Sequence, residues 1–144
     1  MEPETKGQDV TRMRQLQAPR ALLFDIGGVL IDIDFGRALD TWAPWSALSL
    51  EDLRAAFSFD EAYQRHERGE IEAAVYFDHL RQHLRLDASD EQIEAGWNAI
   101  FLGEIAGTRA LVQRARRRLP CHAFSNTNAS HMRQWTAQCP EVVS

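Results

Sequence analysis

Asp25 stands at the end of the apolar run Ala21-Leu22-Leu23-Phe24 and is followed by Ile26, Gly27 and Gly28. A carboxylate released from the carboxyl end of a buried parallel strand sits where α/β folds place ligands. The two glycines allow a tight turn and a close backbone approach to an anion. The plainer alternative is an Asp in an ordinary strand-to-loop turn. A second stretch, Ser125-Asn126-Thr127-Asn128, also follows a short apolar run, Cys121-His-Ala-Phe124, and precedes a helix. A Ser hydroxyl, a backbone N–H and a helix N-terminus together make a phosphate cradle. The same residue types equally make an N-cap cluster with no ligand.

The elements that must position these residues read as an interrupted α/β core. Residues 21–24 have the length and composition of a strand buried on both faces. Residues 36–103 carry helical signals. Ser49-Leu-Glu-Asp52 and Ser89-Asp-Glu-Gln92 resemble capping boxes. Leu53 and Phe57 share a face. Ile71, Val75, Phe77, Leu80 and Leu84 keep helical spacing, and Ile93, Trp97, Ile100 and Phe101 share one side of a helix. Gly69 and Gly103 sit where helices should end. Leu111, Ala115 and Leu119 predict a helix stopped by Pro120. A strand over 121–124 and a helix over 129–138 complete the order strand, helical insert, helix, strand, helix. Residues 1–19 read as a polar tail, partly helical near Val10–Leu16.

Composition narrows the class. The 144 residues are 44% hydrophobic and 26% charged, which suits a globular chain of one domain or a core with one small insert. The net charge of −5 disfavours nonspecific nucleic-acid binding. No apolar stretch is long enough to span a membrane, and the N-terminus has no signal-peptide core. Cys121 and Cys139 form no metal or disulfide spacing, so a reducing, cytoplasmic compartment is expected. Trp42, Trp45, Trp97 and Trp135 read as core anchors before sugar-stacking platforms. Arg114, Arg116, Arg117 and Arg118 read as a solvated helix end. His79, His83 and His131 show no pattern that demands a metal.

At Asp25 and Ser125 together the sequence resembles the haloacid dehalogenase (HAD) superfamily, from about Ala21 to Val143. Within it the look is of sugar-phosphate phosphatases of the α-D-glucose-1-phosphate phosphatase kind. The pieces that carry it are Phe24-Asp-Ile-Gly-Gly-Val-Leu-Ile-Asp-Ile-Asp-Phe35, His66-Glu-Arg-Gly-Glu-Ile71, Gly96-Trp97 and Ser125-Asn-Thr-Asn128. The resemblance implies a partial HAD-like, Rossmann-like parallel core over 20–35 and 104–144, with a helical cap over 36–103. It implies that Asp25 attacks phosphorus to give an aspartyl-phosphate, which water hydrolyses. Asp25 and the Gly27 carbonyl would ligate Mg²⁺, and Ser125, Asn126 and Gly28 would bind phosphate. His66 and Arg68, on the cap, would face a small phosphorylated metabolite.

The sequence departs from the family pattern twice. Many relatives carry an acid/base Asp where Gly27 stands, although Gly is found there in the resembled subfamily. Asp32 and Asp34 are read as structural acids. After Ser125 there is no Lys and no Asp, and Glu141 is the one acid. The later Lys and the acids that complete a Mg²⁺ site are therefore not in this sequence, and Arg133 is a poor stand-in. The expected consequences are weak activity of the 144 residues alone and an open sheet edge, with homo-oligomer formation through it. A non-catalytic association module and a C–Cl-cleaving dehalogenase are the competing functions.

Overall fold

The structure, a computed structural model, describes residues 18–140. The expected helix near Val10–Leu16 and Glu141 lie outside them. Strand β1 is Leu22–Phe24 and pairs in parallel with β4, Cys121–Ala123, in the register Leu22↔Cys121, Leu23↔His122, Phe24↔Ala123. Between them run β2 (Ile31–Ile33), α1 (Gly36–Trp42), a 3₁₀ turn (Ala43–Trp45), α2 (Leu50–Ala56), α3 (Glu61–Glu67), α4 (Ala73–Leu84), α5 (Asp90–Asn98), β3 (Phe101–Glu104) and α6 (Thr108–Arg116). Helix α7, Ala129–Gln138, follows β4. The fold is α/β, with a small parallel sheet and seven α-helices among the described residues.

Strands β2 and β3 form an antiparallel ribbon that the helical reading of residues 36–103 did not anticipate. Phe101 and Gly103 belong to β3, whereas helical spacing assigned Phe101 to a helix face and Gly103 to a helix end. Helix α5 stops at Asn98, and Asp34 N–H bonds the Ile100 carbonyl at 2.9 Å, which starts the ribbon. Gly103 has φ +112, beside a register shift in the ladder. That is where a glycine relieves a bulged strand. The alternation Ile31-Asp32-Ile33 was the period-2 signal for this ribbon.

Two hydrophobic clusters divide the interior. The larger joins α1, α2, α4 and α5 through residues that include Trp42, Leu53, Tyr76, Leu84, Ile93 and Trp97. The smaller joins Ile26, Leu30, Ile31, Trp135 and Cys139, and Phe101 packs against both. Three tryptophans, Trp42, Trp97 and Trp135, are buried as expected of core anchors, while Trp45 is half-buried. Val75, placed on the apolar face by spacing, is exposed, and Tyr76 is the buried neighbour. The expectation that β1 is buried on both faces also fails. Leu23 is 68% exposed, because this sheet has two strands and its pleat turns Leu23 away from the smaller cluster.

Local signals set the helix starts. Ser89 and Gln92 make a complete capping box. Ser49 caps α2 by accepting from Asp52 N–H, but the reciprocal arm is missing. The Asp52 carboxylate accepts from the Ser49 hydroxyl at 2.7 Å instead of reaching the N-cap N–H, since Asp is one methylene shorter than Glu. Gly69, at φ +70, ends the turn after α3 as expected.

The tightest joint in the larger cluster is α1 against α5. Trp42 and Trp97 stack 6.4 Å apart at 5°, and Trp42 Nε1 donates to the Ile93 carbonyl at 3.1 Å. A Cβ on Gly96 would stand 2.1 Å from Trp42 Nε1. Trp42 is fully buried and cannot swing aside. Gly96→Ala is expected to destabilise the fold by on the order of 2 kcal/mol, overpacking outweighing the helix propensity gained. Urea unfolding that shows an unchanged or raised midpoint would contradict this packing.

Candidate active site

The site begins where β1 ends. Ile26 is buried, and its carbonyl accepts from Val29 N–H (3.3 Å), Leu30 N–H (2.9 Å) and Ile31 N–H (2.9 Å). This single acceptor folds the chain back from β1 into β2. Gly28 lies at φ +73, a region that L side chains rarely adopt. Its N–H donates to the Ile31 carbonyl at 2.8 Å. Gly28, expected at the phosphate, therefore supplies the turn, and its N–H is used within the loop. Asp25 is exposed at the outer edge of this loop, and its Oδ1 accepts from Ile26 N–H at 2.7 Å. No hydrogen bond among the described residues reaches the Gly27 carbonyl. A Cβ on Gly27 would lie 3.3 Å from Ile33 Cδ1, so the tip of Ile33 would have to give by a few tenths of an ångström to admit a side chain there.

The second loop leaves the sheet at the same edge. The parallel ladder continues past β4 with Phe124 N–H donating to the Phe24 carbonyl at 2.8 Å. Asp25 and Ser125 are each the next residue after that bond. Ser125 is half-buried and Asn126 exposed. The Ser125 hydroxyl has one long contact, 3.4 Å, to the Asn126 carbonyl. Capping of α7 falls to Asn128, whose side-chain oxygen accepts from His131 N–H at 2.9 Å. The plain N-cap reading thus accounts for Asn128 and leaves Ser125 and Asn126 outside the cap.

A third segment meets the second loop. Asn128 Nδ2 donates to Glu67 Oε1 at 2.7 Å, tying the end of α3 to the start of α7. Arg68, next in the chain, is exposed and ion-paired with Glu70 at 2.5 Å and Glu61 at 3.4 Å. His66 is 4% exposed and stacks on Tyr76, 4.7 Å apart. The structure thus sets Asp25 and Ser125 at one sheet edge and ties the Glu67 end of α3 to Asn128 at the start of α7. It sets the His66 ring in the helical interior, not on the surface expected to face a substrate. The sequence reading missed the Asn128–Glu67 bond; the spacing of Asn128 to His131 was the available sign of the cap alone.

His79 meets Asp60 at 2.7 Å, and His83 meets the Ala56 carbonyl at 2.8 Å. Among the described residues no group of three or more His, Cys, Asp or Glu gathers to hold a metal. Arg133 pairs with Glu94 at 3.2 Å, at a surface cleft of about 500 Å³ between α5 and α7 that includes neither Asp25 nor Ser125. Burial pushes the Tyr63 hydroxyl up to about 12 and holds His66 below its ordinary range. His131 stacks on Trp97 at 4.6 Å, and its Nε2 lies 3.0 Å from the Trp97 carbonyl. Burial brings it down to about 4, against a smaller opposing effect of that carbonyl.

No family model matches the chain. Similar solved structures are HAD family enzymes. One from Bacteroides thetaiotaomicron, in complex with magnesium and inorganic phosphate, is 27% identical with a TM-score of 0.68, over 85% of this chain and 60% of that one. The magnesium complex from the same organism is 28% identical with a TM-score of 0.67, over 83% of this chain and 58% of that one. A HAD-like family hydrolase from Porphyromonas gingivalis, 17% identical with a TM-score of 0.60 over 77% of this chain and 53% of that one, shares the fold. The chain thus spans about 60% of the length of the first of these enzymes. No helix among the described residues is long and apolar enough to cross a membrane.

The buried histidines fix a pH dependence. His131 titrates near 4 when folded and near its ordinary 6.5 when unfolded. Between those values the unfolded chain binds the proton and the folded chain does not. The stability due to the neutral ring is present above 6.5 and lost as pH falls toward 4, at up to about 1.4 kcal/mol per pH unit. His66 acts in the same direction. His131→Gln is expected to remove about one proton from this slope, read from urea midpoints at pH 7, 6 and 5. A slope identical to wild type would refute it.

Proposed function

We propose that this chain carries the nucleophile and phosphate loop of a Mg²⁺-dependent HAD-superfamily phosphomonoesterase acting on a small phosphorylated metabolite, a sugar phosphate before others. The observation that supports it most is the parallel β1–β4 ladder, which delivers Asp25 and Ser125 to one sheet edge. The magnesium and phosphate complex of the similar Bacteroides enzyme points the same way. Residues 36–103 are the cap in this reading, supported by the separate helical cluster. Association through the open sheet edge, supported by the exposure of Leu23 and Phe124, belongs to the same proposal, as does a cytoplasmic setting.

The chemistry follows from the side chains. A carboxylate oxygen of Asp25 attacks phosphorus, the P–O bond to the alcohol breaks, and the alcohol leaves with a proton from solvent. Water then attacks phosphorus of the aspartyl-phosphate, which frees phosphate and restores the carboxylate. The Ser125 hydroxyl and the Asn126 N–H hold phosphoryl oxygens, where fixed donors stabilise the charge that develops. The Asp25 carboxylate and the unused Gly27 carbonyl are hard oxygen donors and fit Mg²⁺, which keeps several waters in such sites. When bound, the ion neutralises charge between the carboxylate and the phosphate.

Asp25→Asn tests the reading. In a protein carrying this sequence, Mg²⁺-dependent hydrolysis of p-nitrophenyl phosphate should fall to below about one thousandth, with an unchanged circular dichroism spectrum. Turnover by the Asn variant within tenfold of wild type would end the assignment of Asp25.

A further inference from the structure

We propose that Asn128 and Glu67 form a positioning pair that sets the end of α3 against the Ser125–Asn128 loop. The proposal rests on the reading of that loop as the phosphate cradle. It deepens that reading by naming what fixes the loop relative to the Glu67–Arg68 segment.

The argument starts from the chemistry of the Asn128 side chain. An N-cap needs one oxygen acceptor, and Ser or Asp would serve α7 as well. The Asn128 oxygen does this work by accepting from His131 N–H at 2.9 Å. Its amide nitrogen is superfluous to the cap, and that nitrogen makes the 2.7 Å bond to Glu67. The bond joins groups 61 residues apart and involves a side chain 5% exposed. A hydrogen bond to a charged, half-buried acceptor is stronger than a neutral one. Burial raises the Glu67 carboxyl above its ordinary range, and the Asn128 amide counters this, as expected of a donor aimed at the ionised form.

Both ends of the pair lead to site residues. Asn128 closes the loop that carries Ser125 and Asn126. Glu67 is the last residue of α3, and Arg68 follows it in a turn closed by Gly69. Arg68 pairs with Glu70 and Glu61, and Gly69 N–H donates to the His66 carbonyl, so the turn is braced from within. The Asn128–Glu67 bond ties this turn directly to the phosphate loop. Neither residue is assigned to touch the reacting atoms; both act through the segments that they hold.

Polarity reversal provides the test. Asn128→Asp keeps the cap oxygen, adds a charge that a helix N-terminus favours, and sets two carboxylates face to face. Glu67→Gln keeps an oxygen that accepts from Asn128. The double variant restores the bond in reverse, with the introduced amide at position 67 donating to the introduced carboxylate at position 128. Backbone hydrogen exchange of residues 66–71 and 125–131 is measured at pH 7.5 on the 144-residue protein. Asn128→Asp should speed exchange in both segments by about tenfold, Glu67→Gln should change it little, and the double variant should return to within about threefold of wild type. Unchanged exchange at 66–71 in Asn128→Asp, or no recovery in the double variant, overturns the pair. Should Asn128→Asp not fold, Glu67→Ala leaves the α7 cap intact and must loosen 125–131; protection there equal to wild type overturns the pair equally. Calorimetric binding of inorganic phosphate in Mg²⁺ should weaken in Asn128→Asp and recover in the double variant. A wild-type protein that binds no phosphate refutes the cradle reading, while the exchange data still decide the pair.

Discussion

The parallel pairing of β1 with β4 is the constraint on which the rest of the structure hangs. Two parallel neighbours cannot be joined by a hairpin, so the chain must leave the edge at Phe24 and re-enter at the far end of the sheet, at Cys121. It leaves through the Ile26 turn into β2 and comes back along β3 and α6. The β2–β3 ribbon lets the excursion depart and return at one place. Because the strands run the same way, their carboxyl ends coincide, and two loops far apart in sequence share one edge.

Besides the bonds of Ser130 to Glu94 and Asn98 and the Arg133–Glu94 pair, three joints of different chemistry fasten the helical excursion to that edge. Phe101 packs against both apolar clusters. His131 on α7 stacks on Trp97 of α5 and bonds its carbonyl. Asn128 reaches Glu67 at the end of α3. The first joint is non-directional, whereas the other two are directional, the His131 bond buried and the Asn128 bond half-buried. An unmet partner at either would cost the full desolvation of a polar group. That difference explains how a helical cluster with its own apolar interior can still hold a defined position against the sheet.

Much of this was legible in the sequence where a local rule had no competitor. Ser89 and Gln92 form their box, Gly69 ends its turn, and α7 spans Ala129–Gln138 as its polar start and periodicity indicate. The two candidate loops were legible as strand ends because each follows a short apolar run bounded by turn-forming residues, which fits a buried strand. The ribbon was not, because Phe101 and Ile100 continue the apolar spacing of α5, and periodicity cannot tell a buried strand from a buried helix turn. The exposure of Leu23 was hidden for another reason: burial of a strand depends on how many neighbours it has, which β1 alone does not encode. The Asn128–Glu67 bond depends on tertiary approach and leaves no trace in either local pattern.

The surroundings of Gly27 follow from the pleat of β2. Strand β2 alternates, so Ile31 and Ile33 turn inward and Asp32 turns to solvent on the opposite face. Ile33 is the residue that meets Gly27. Asp32 therefore points away from Gly27 by the same pleat that brings Ile33 over it. Asp34 is spent locally, its Oδ1 accepting from Gly36 N–H at 2.8 Å as α1 begins. The nearest side chain to Gly27 is therefore apolar. A side chain at 27 asks the tip of Ile33 to give by a few tenths of an ångström.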